Sequence, residues 1–272
     1  MYWLNGRWRW RPLIRKSGAQ MVAIVSGNSL GLGLTSLATL GQRGVFGAAT
    51  QGQSGERAFV NVATGNLVLQ DMDDRLVGQG LDIEALRTYN SQGLLNDDNA
   101  DNWTTGAFRT GNLRYTGTLN AVGSTITRIS PDGAEAVYAW DGATYRSAAG
   151  AGACDKIRYD SGTRLFYWTD GDTGIEERYK KIGSKDGKDV IAMQTRLDAC
   201  GNQVNYVYDG NYNLKTVSDA SGETLAFTYN NGKLTSISTT PAGSTKTTRV
   251  LYAFILVDGW SVVLKALTGS FH

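Results

Sequence analysis

Two stretches of this chain can be laid over each other without a gap, and that match limits the folds open to it. The first runs Asp198-Ala-Cys-Gly201-Asn-Gln-Val204-Asn-Tyr206-Val-Tyr208 and the second Asp219-Ala-Ser-Gly222-Glu-Thr-Leu225-Ala-Phe227-Thr-Tyr229, each position displaced by 21 residues. Asp-x-x-Gly is turn chemistry, because Gly reaches positive φ without strain and Asp can bond nearby backbone amides. Val204, Tyr206 and Tyr208 then fall on one face of a strand with period two, as do Leu225, Phe227 and Tyr229. A second strand follows in each unit, Asn213-Leu-Lys-Thr-Val217 and Lys233-Leu-Thr-Ser-Ile237. Leu214 and Val217 are three apart, so a bend or bulge is expected between them. One strand pair cannot bury its apolar face alone, so such units must stack on their neighbours.

Composition agrees with that reading over the whole chain. Glycine is abundant at 34 residues, proline scarce at 3, and tyrosine reaches 13. Gly, Asn and Asp supply turns, while Tyr, Thr and Val suit pleated surfaces. The fold class expected is all-β. Strand character begins at Arg57–Val62, turns at Thr64-Gly65-Asn66 and resumes at Leu67–Leu69, a hairpin pattern. Leu81-Asp-Ile83-Glu-Ala85 alternates apolar and acidic residues as a half-buried strand does. Thr125–Ser130 and Ala136–Trp140 flank Pro131-Asp132-Gly133, and Asp160-Ser-Gly162 and Asp170-Gly171 mark further turns. The lysine-rich stretch Tyr179–Lys188 reads as a solvated excursion between strands.

The repeat closely resembles the YD repeat of Rhs-type proteins, named for Tyr-Asp, here Tyr208-Asp209 followed by Leu214. Thr64-Gly65-Asn66-Leu67 and Arg87-Thr-Tyr89-Asn90-Ser91 resemble the region that precedes such repeats. The resemblance implies an open spiral sheet of β-hairpins in a non-enzymatic scaffold of a large bacterial surface or secreted toxin-carrying protein. It implies no cofactor. On that reading the divisions are a basic, Gly-rich, weakly ordered leader over 1–55, a β region over 56–150, the repeat region over 151–254 and an atypical apolar tail over 255–272. The pattern has departures. Tyr229 is followed by Asn230 rather than Asp, and a third copy starts at Val250-Leu-Tyr252-Ala-Phe254 before Ile255 stands where Asp belongs. The chain therefore reads as truncated or frame-shifted inside a repeat. The Asp-Pro-centred motif that ends the shell in many relatives is missing, so neither self-cleavage nor a toxin carries over.

Charge narrows the partners. A net charge of +2 disfavours a strongly cationic nucleic-acid binder. Arg7, Arg9, Arg11, Arg15 and Lys16, interleaved with Trp3, Trp8 and Trp10, sit in a leader without acids. Stacking rings and cations would suit a nucleic-acid or membrane-surface arm, but the leader reads rather as disordered or as sequence upstream of a start at Met21. It is no clear signal peptide, although the resemblance implies a secreted or surface location. No apolar run approaches the ~18 residues of a membrane helix. Cys154 and Cys200 can form at most one bridge, far short of a disulfide framework.

Three constellations could carry chemistry. Gly27-Asn28-Ser29-Leu30-Gly31 fits a nucleophile elbow, but that chemistry needs a base and the sole histidine is His272. Asp97, Asn99 and Asp101 alternate as at the start of a calcium loop without its central glycine, and Asp170, Asp172 and Glu176 form a second acidic group. Solvated turns account for both. Trp103, Trp140 and Trp168 lie near turns, where exposed rings would suit sugars or peptides, while period-two aromatics suit packed sheet faces. The second functional reading is therefore a carbohydrate- or cell-surface-binding β module. Partners under the first reading are further repeats of a shell, and under the second cell-surface glycans.

Overall fold

The computed structural model describes residues 2–4, 7–9, 23–25, 32, 57–78, 80–92, 102–147, 154–245, 247–257 and 260–271; residues 2–25 and 253–271 are described by backbone path only. Every regular element among them is a β-strand. The protein is all-β.

Three short strands come first: β1 (Tyr2–Leu4), β2 (Arg7–Arg9) and β3 (Ala23–Val25). β1 and β2 pair as an antiparallel hairpin, so the start of the leader takes up the period-two form that its alternating Trp and Arg allow. β3 joins a five-stranded sheet with β4 (Arg57–Asn61), β5 (Asn66–Leu76), β6 (Ile83–Asn90) and β7 (Trp103–Thr104), in the order 3-4-5-6-7. The Thr64-Gly65-Asn66 hairpin is where the sequence places it, and Asn66 and Asn90 bond side chain to side chain at 2.7 Å. A register shift between Met72 and Asp74 makes Asp73 the extra residue of β5, and its side chain turns into the interior.

The next eight strands form a closed barrel. They are β8 (Leu113–Thr116), β9 (Thr125–Ile129), β10 (Glu135–Trp140), β11 (Tyr145–Ser147), β12 (Lys156–Asp160), β13 (Leu165–Thr169), β14 (Glu176–Lys185) and β15 (Lys188–Leu197). Each pairs antiparallel with the next, and β15 pairs back to β8 through Ile191 and Leu113. Asn112 donates its amide to the Ile191 carbonyl at 2.8 Å at the seam. Gly111 makes the seam possible: at φ +87°, a Cβ there would lie 2.6 Å from the Ile191 nitrogen. Leu113, Ile126, Tyr138, Tyr145, Ile157, Phe166, Trp168, Tyr179, Ile191 and Met193 pack as one buried cluster, with every barrel strand represented. Closure leaves these strands no free edge.

The barrel accounts for one departure from the sequence reading. Tyr179–Lys188 is not an excursion but the end of β14, a tight turn and the start of β15. Tyr179 is buried inside, while Lys180 and Lys181 after it are exposed. The position near 150 at which the sequence divides lies between β11 and β12, two paired barrel strands.

From β15 the sheet continues as an open series: β16 (Gln203–Tyr208), β17 (Leu214–Asp219), β18 (Thr224–Asn230), β19 (Lys233–Thr240), β20 (Thr247–Val257) and β21 (Trp260–Phe271). The apolar stretch from Ile255, which breaks the repeat pattern in sequence, runs through the β20–β21 hairpin. Ile83 and Ala85 of β6 join Val204, Leu214, Val217, Leu225, Phe227, Leu234, Ile237, Val250 and Tyr252 in a second core that ties the five-stranded sheet to this series.

Candidate functional site

Residues that define the repeat do one local job each. Asp198 Oδ1 accepts the amides of Cys200 and Asn202 at 2.9 and 2.8 Å, and Asn202 Nδ2 donates to Asp198 Oδ2 at 2.7 Å. Asp219 Oδ1 takes the matching amides of Ser221 and Glu223 at 3.0 and 2.9 Å. Gly201 and Gly222 follow with φ of +88° and +93°. Asp209 holds the opposite end of the first unit through the amides of Asn211 and Asn213, at 2.8 and 2.9 Å, with Asn213 Nδ2 on its second oxygen at 2.8 Å. The Asn202 side chain, first among several hydrogen-bond donors, holds the Asp198 carboxyl below its ordinary pKa.

The strands repeat the same irregularity. Val207 pairs with Thr216 and Tyr208 with Leu214, which leaves Lys215 as a bulge; Thr228 pairs with Ser236 and Tyr229 with Leu234, which leaves Thr235. Each bulge shifts the side-chain phase, so Leu214 and Val217, and likewise Leu234 and Ile237, all reach the same core. Tyr206, Tyr208 and Tyr229 pack against that core, and Tyr208 donates its hydroxyl to the Met193 carbonyl at 2.9 Å. Burial raises the Tyr206 pKa to about 12 and pushes Tyr208 up as well. Asn230 has a plain explanation too. It pairs with Lys233 across a two-residue Asn231-Gly232 turn, both at positive φ, so an Asp cap has no loop there to hold.

Two polar constellations were not picked out from the sequence. Inside the barrel, Arg128 Nη2 and Nε donate to Glu177 Oε2 at 2.7 and 3.0 Å, Arg128 Nε also reaches the Tyr179 hydroxyl at 3.1 Å, and Nη1 reaches Ser130 Oγ at 3.0 Å. The guanidinium lies 3.8 Å from the Trp168 ring centroid. Trp168 Nε1 donates to the Tyr138 hydroxyl at 3.0 Å, and Tyr138 donates onward to Asp155 Oδ2 at 3.5 Å. Burial alone would lower the Arg128 pKa; the Glu177 charge and the Tyr179 and Glu177 hydrogen bonds outweigh it and raise it. Burial pushes Tyr138 to about 12 and also raises Asp155. Arg128 sits two residues from buried Ile126, at an inward position, and a charge in the apolar phase of a strand is the signal that marks it.

The other constellation joins the five-stranded sheet to β20. Arg87 Nη2 donates to Asp73 Oδ1 at 2.9 Å and to Asp71 Oδ2 at 3.2 Å, and its Nε bonds Asp73 Oδ2, which also accepts the Tyr252 hydroxyl. The guanidinium stacks between Trp103 and Tyr252, 4.7 and 4.6 Å from their centroids.

No protein-family model matches the chain, and the comparison with curated proteins finds no match.

The remaining candidates resolve as follows. Ser29 and its flanking glycines, His272, and the Asp97–Asn99–Asp101 group lie outside the described residues. Asp170 caps its own turn through the amides of Asp172 and Thr173 at 2.8 and 2.9 Å, and Glu176 pairs with Arg178 at 2.7 Å. Among the described residues no group of three or more His, Cys, Asp or Glu side chains is placed to hold a metal. Cys154 and Cys200 are exposed free thiols. Trp168 is buried and unavailable to a ligand, whereas Trp140 and Trp103 are half-buried beside Tyr145 and Tyr89, at 5.1 and 5.4 Å between ring centroids. Among the described residues no helix is long and apolar enough to cross a membrane.

Proposed function

We propose that this chain is a structural scaffold rather than a catalyst, a YD-repeat protein of the Rhs type whose open series of hairpins belongs to a spiral sheet. One observation carries the reading. The two hairpin units carry an Asp-held turn at the same place, a bulge at the same strand position, and the same apolar positions in one continuous core. Units alike in turn, bulge and core add to a sheet one after another, which is the logic of a repeat scaffold. By the same resemblance the protein acts at the cell surface or in secreted form, with further repeats of a shell as its partners.

Exposure of the native protein to a fluorophosphonate probe tests the scaffold reading against the hydrolase. The scaffold leaves Ser29 unlabelled; covalent labelling at Ser29 overturns it. Antibody staining of intact and permeabilised source cells tests the location, with signal on intact cells expected and signal only after permeabilisation contrary. A carbohydrate-binding module stays as the second reading, on the half-buried rings of Trp103 and Trp140. A glycan array with no hit would count against it.

A further inference from the structure

The Trp- and Arg-rich start of the chain has no part in the repeat series. No Asp or Glu stands before Glu56, whereas Arg7, Arg9, Arg11, Arg15 and Lys16 follow one another closely, and Trp3, Trp8 and Trp10 are three of the chain's 7 tryptophans. Sequence alone reads this segment as disordered or as lying upstream of the start; the backbone instead pairs it. β1 and β2 are antiparallel, with Tyr2 opposite Arg9, Trp3 opposite Trp8 and Leu4 opposite Arg7. Only Asn5 and Gly6 separate the two strands in sequence, and Asn-Gly is strongly favoured in two-residue hairpin turns.

Opposed residues of an antiparallel pair share a face, and neighbours along a strand alternate between faces. The register therefore places Trp3 and Trp8 on one face of the hairpin, and Arg7 and Arg9 on the other with Tyr2 and Leu4. The same alternation runs on in sequence through Trp10 and Arg11. Neither Arg7 nor Arg9 has an acid as its cross-strand partner. Among the described residues, β1 and β2 pair only with each other and join neither larger sheet.

This division selects among the surfaces that a cationic, aromatic segment can bind. A single-stranded nucleic acid needs stacking rings and phosphate-binding cations along one groove, and here the register parts them. A membrane surface needs them parted. Indoles settle at the boundary between headgroups and acyl chains, while cations on the opposite face reach anionic headgroups. A two-stranded hairpin also holds little stability of its own in water, so a surface that takes the indole face stabilises the pairing. Strands of 3 residues are far short of the ~9–11 that cross a bilayer, which places the hairpin on the surface rather than through it.

We propose that the β1–β2 hairpin is a peripheral membrane anchor. It lays its Trp3–Trp8 face on a lipid surface rich in anionic headgroups, and Arg7, Arg9 and the basic residues that follow supply the charge attraction. The hairpin lies outside the repeat series, so the proposal does not rest on the scaffold reading.

The test is flotation of the full chain with vesicles of phosphatidylcholine alone or with about one third phosphatidylglycerol. Binding to the anionic vesicles is expected to be about a hundredfold or more tighter, and to weaken as salt rises. Trp3→Ser with Trp8→Ser should weaken that binding about tenfold or more, and Arg7→Gln with Arg9→Gln should lower the anionic preference about tenfold. One further variant exchanges two neighbours. Arg7→Trp with Trp8→Arg keeps composition and charge but sets a cation opposite Trp3, and should bind about fivefold or more weakly. An unchanged melting temperature in each variant is expected. A lowered one would mean that the Trp face packs on the body of the protein, and overturns the proposal. Equal binding to neutral and anionic vesicles, equal binding by the exchanged variant, or no vesicle binding each overturns it too. So does a single-stranded oligonucleotide bound in preference to the anionic vesicles, or a native protein that begins at Met21.

Discussion

Arg87 stacks 4.6 Å from the ring centroid of Tyr252, and both residues bond the same carboxylate, that of Asp73. Sequence places Arg87 and Tyr252 in different regions of the chain, so this triad fixes where β20 lies against the five-stranded sheet. Arg87→Ala leaves the Asp73 carboxylate buried without its cation, and should cost about 3–5 kcal/mol. Tyr252→Phe removes one hydrogen bond to a charged group and keeps the stacking, so about 1.5–3 kcal/mol is expected. Urea unfolding of the two variants checks the order; a Tyr252→Phe loss as large as that of Arg87→Ala would contradict it.

A second ion pair, Arg128 with Glu177, fills the barrel interior, with both side chains nearly inaccessible at 7 and 6 %. Removal of either partner should cost about 3–5 kcal/mol, because the other charge is stranded. Arg128→Met with Glu177→Leu should recover most of that loss. A double-mutant cycle measures it, and additive losses would show that the two groups do not act as a pair.

The barrel seam rests on Gly111. Alanine there meets the Ile191 backbone and must hold positive φ, so Gly111→Ala should cost about 2 kcal/mol or more. Hydrogen exchange should show faster opening at Asn112 and Leu113. An unchanged melting temperature would mean that the seam is not closed in solution.

Two carboxyls should give pH responses of opposite sign. Asp198 is held below its ordinary pKa, first by the Asn202 side chain, so its contribution is full above the unfolded value near about 3.9 and fades as pH falls through the folded value. Asp155 is raised, chiefly by burial, so the folded state holds its proton more tightly, and ionisation costs stability as pH rises through the folded value. Asp198→Asn should therefore be less stable than the parent at neutral pH, with the gap closing in acid. Asp155→Asn keeps the acceptor for the Gly171 amide and should be as stable as the parent or more so at neutral pH, with the difference vanishing in acid. Urea midpoints across the acid range would show it; slopes of the same sign would contradict the assignment.

The repeat was legible because its rules are local. Turn residues, strand phase and the Leu214–Val217 spacing follow from backbone chemistry within a few residues, and the bulge implied by that spacing is present at Lys215. Barrel closure is not local. It depends on Leu113 meeting Ile191 across most of the barrel's length, and no period in the sequence encodes that pairing. The Lys-rich stretch hides its strand for a related reason: composition marks Lys180 and Lys181 as solvated, which they are, but gives no sign of Tyr179 facing inward between them and the buried Glu177. Trp168 shows the same limit, since nearness to a turn says nothing about which side of a closed sheet a ring occupies. The Arg87–Asp73–Tyr252 triad depends on a bulge at Asp73 and on contact between distant segments, so neither period nor motif could reveal it.

In a repeat scaffold the hairpin unit is additive. The direct measurement duplicates residues 198–218, inserting the second copy after Ser218, and compares circular dichroism and urea unfolding with the parent chain. An additive unit predicts a cooperative transition, β signal raised by two strands and a midpoint no lower than the parent's. Loss of cooperativity, or rapid proteolysis within the inserted copy, would contradict it.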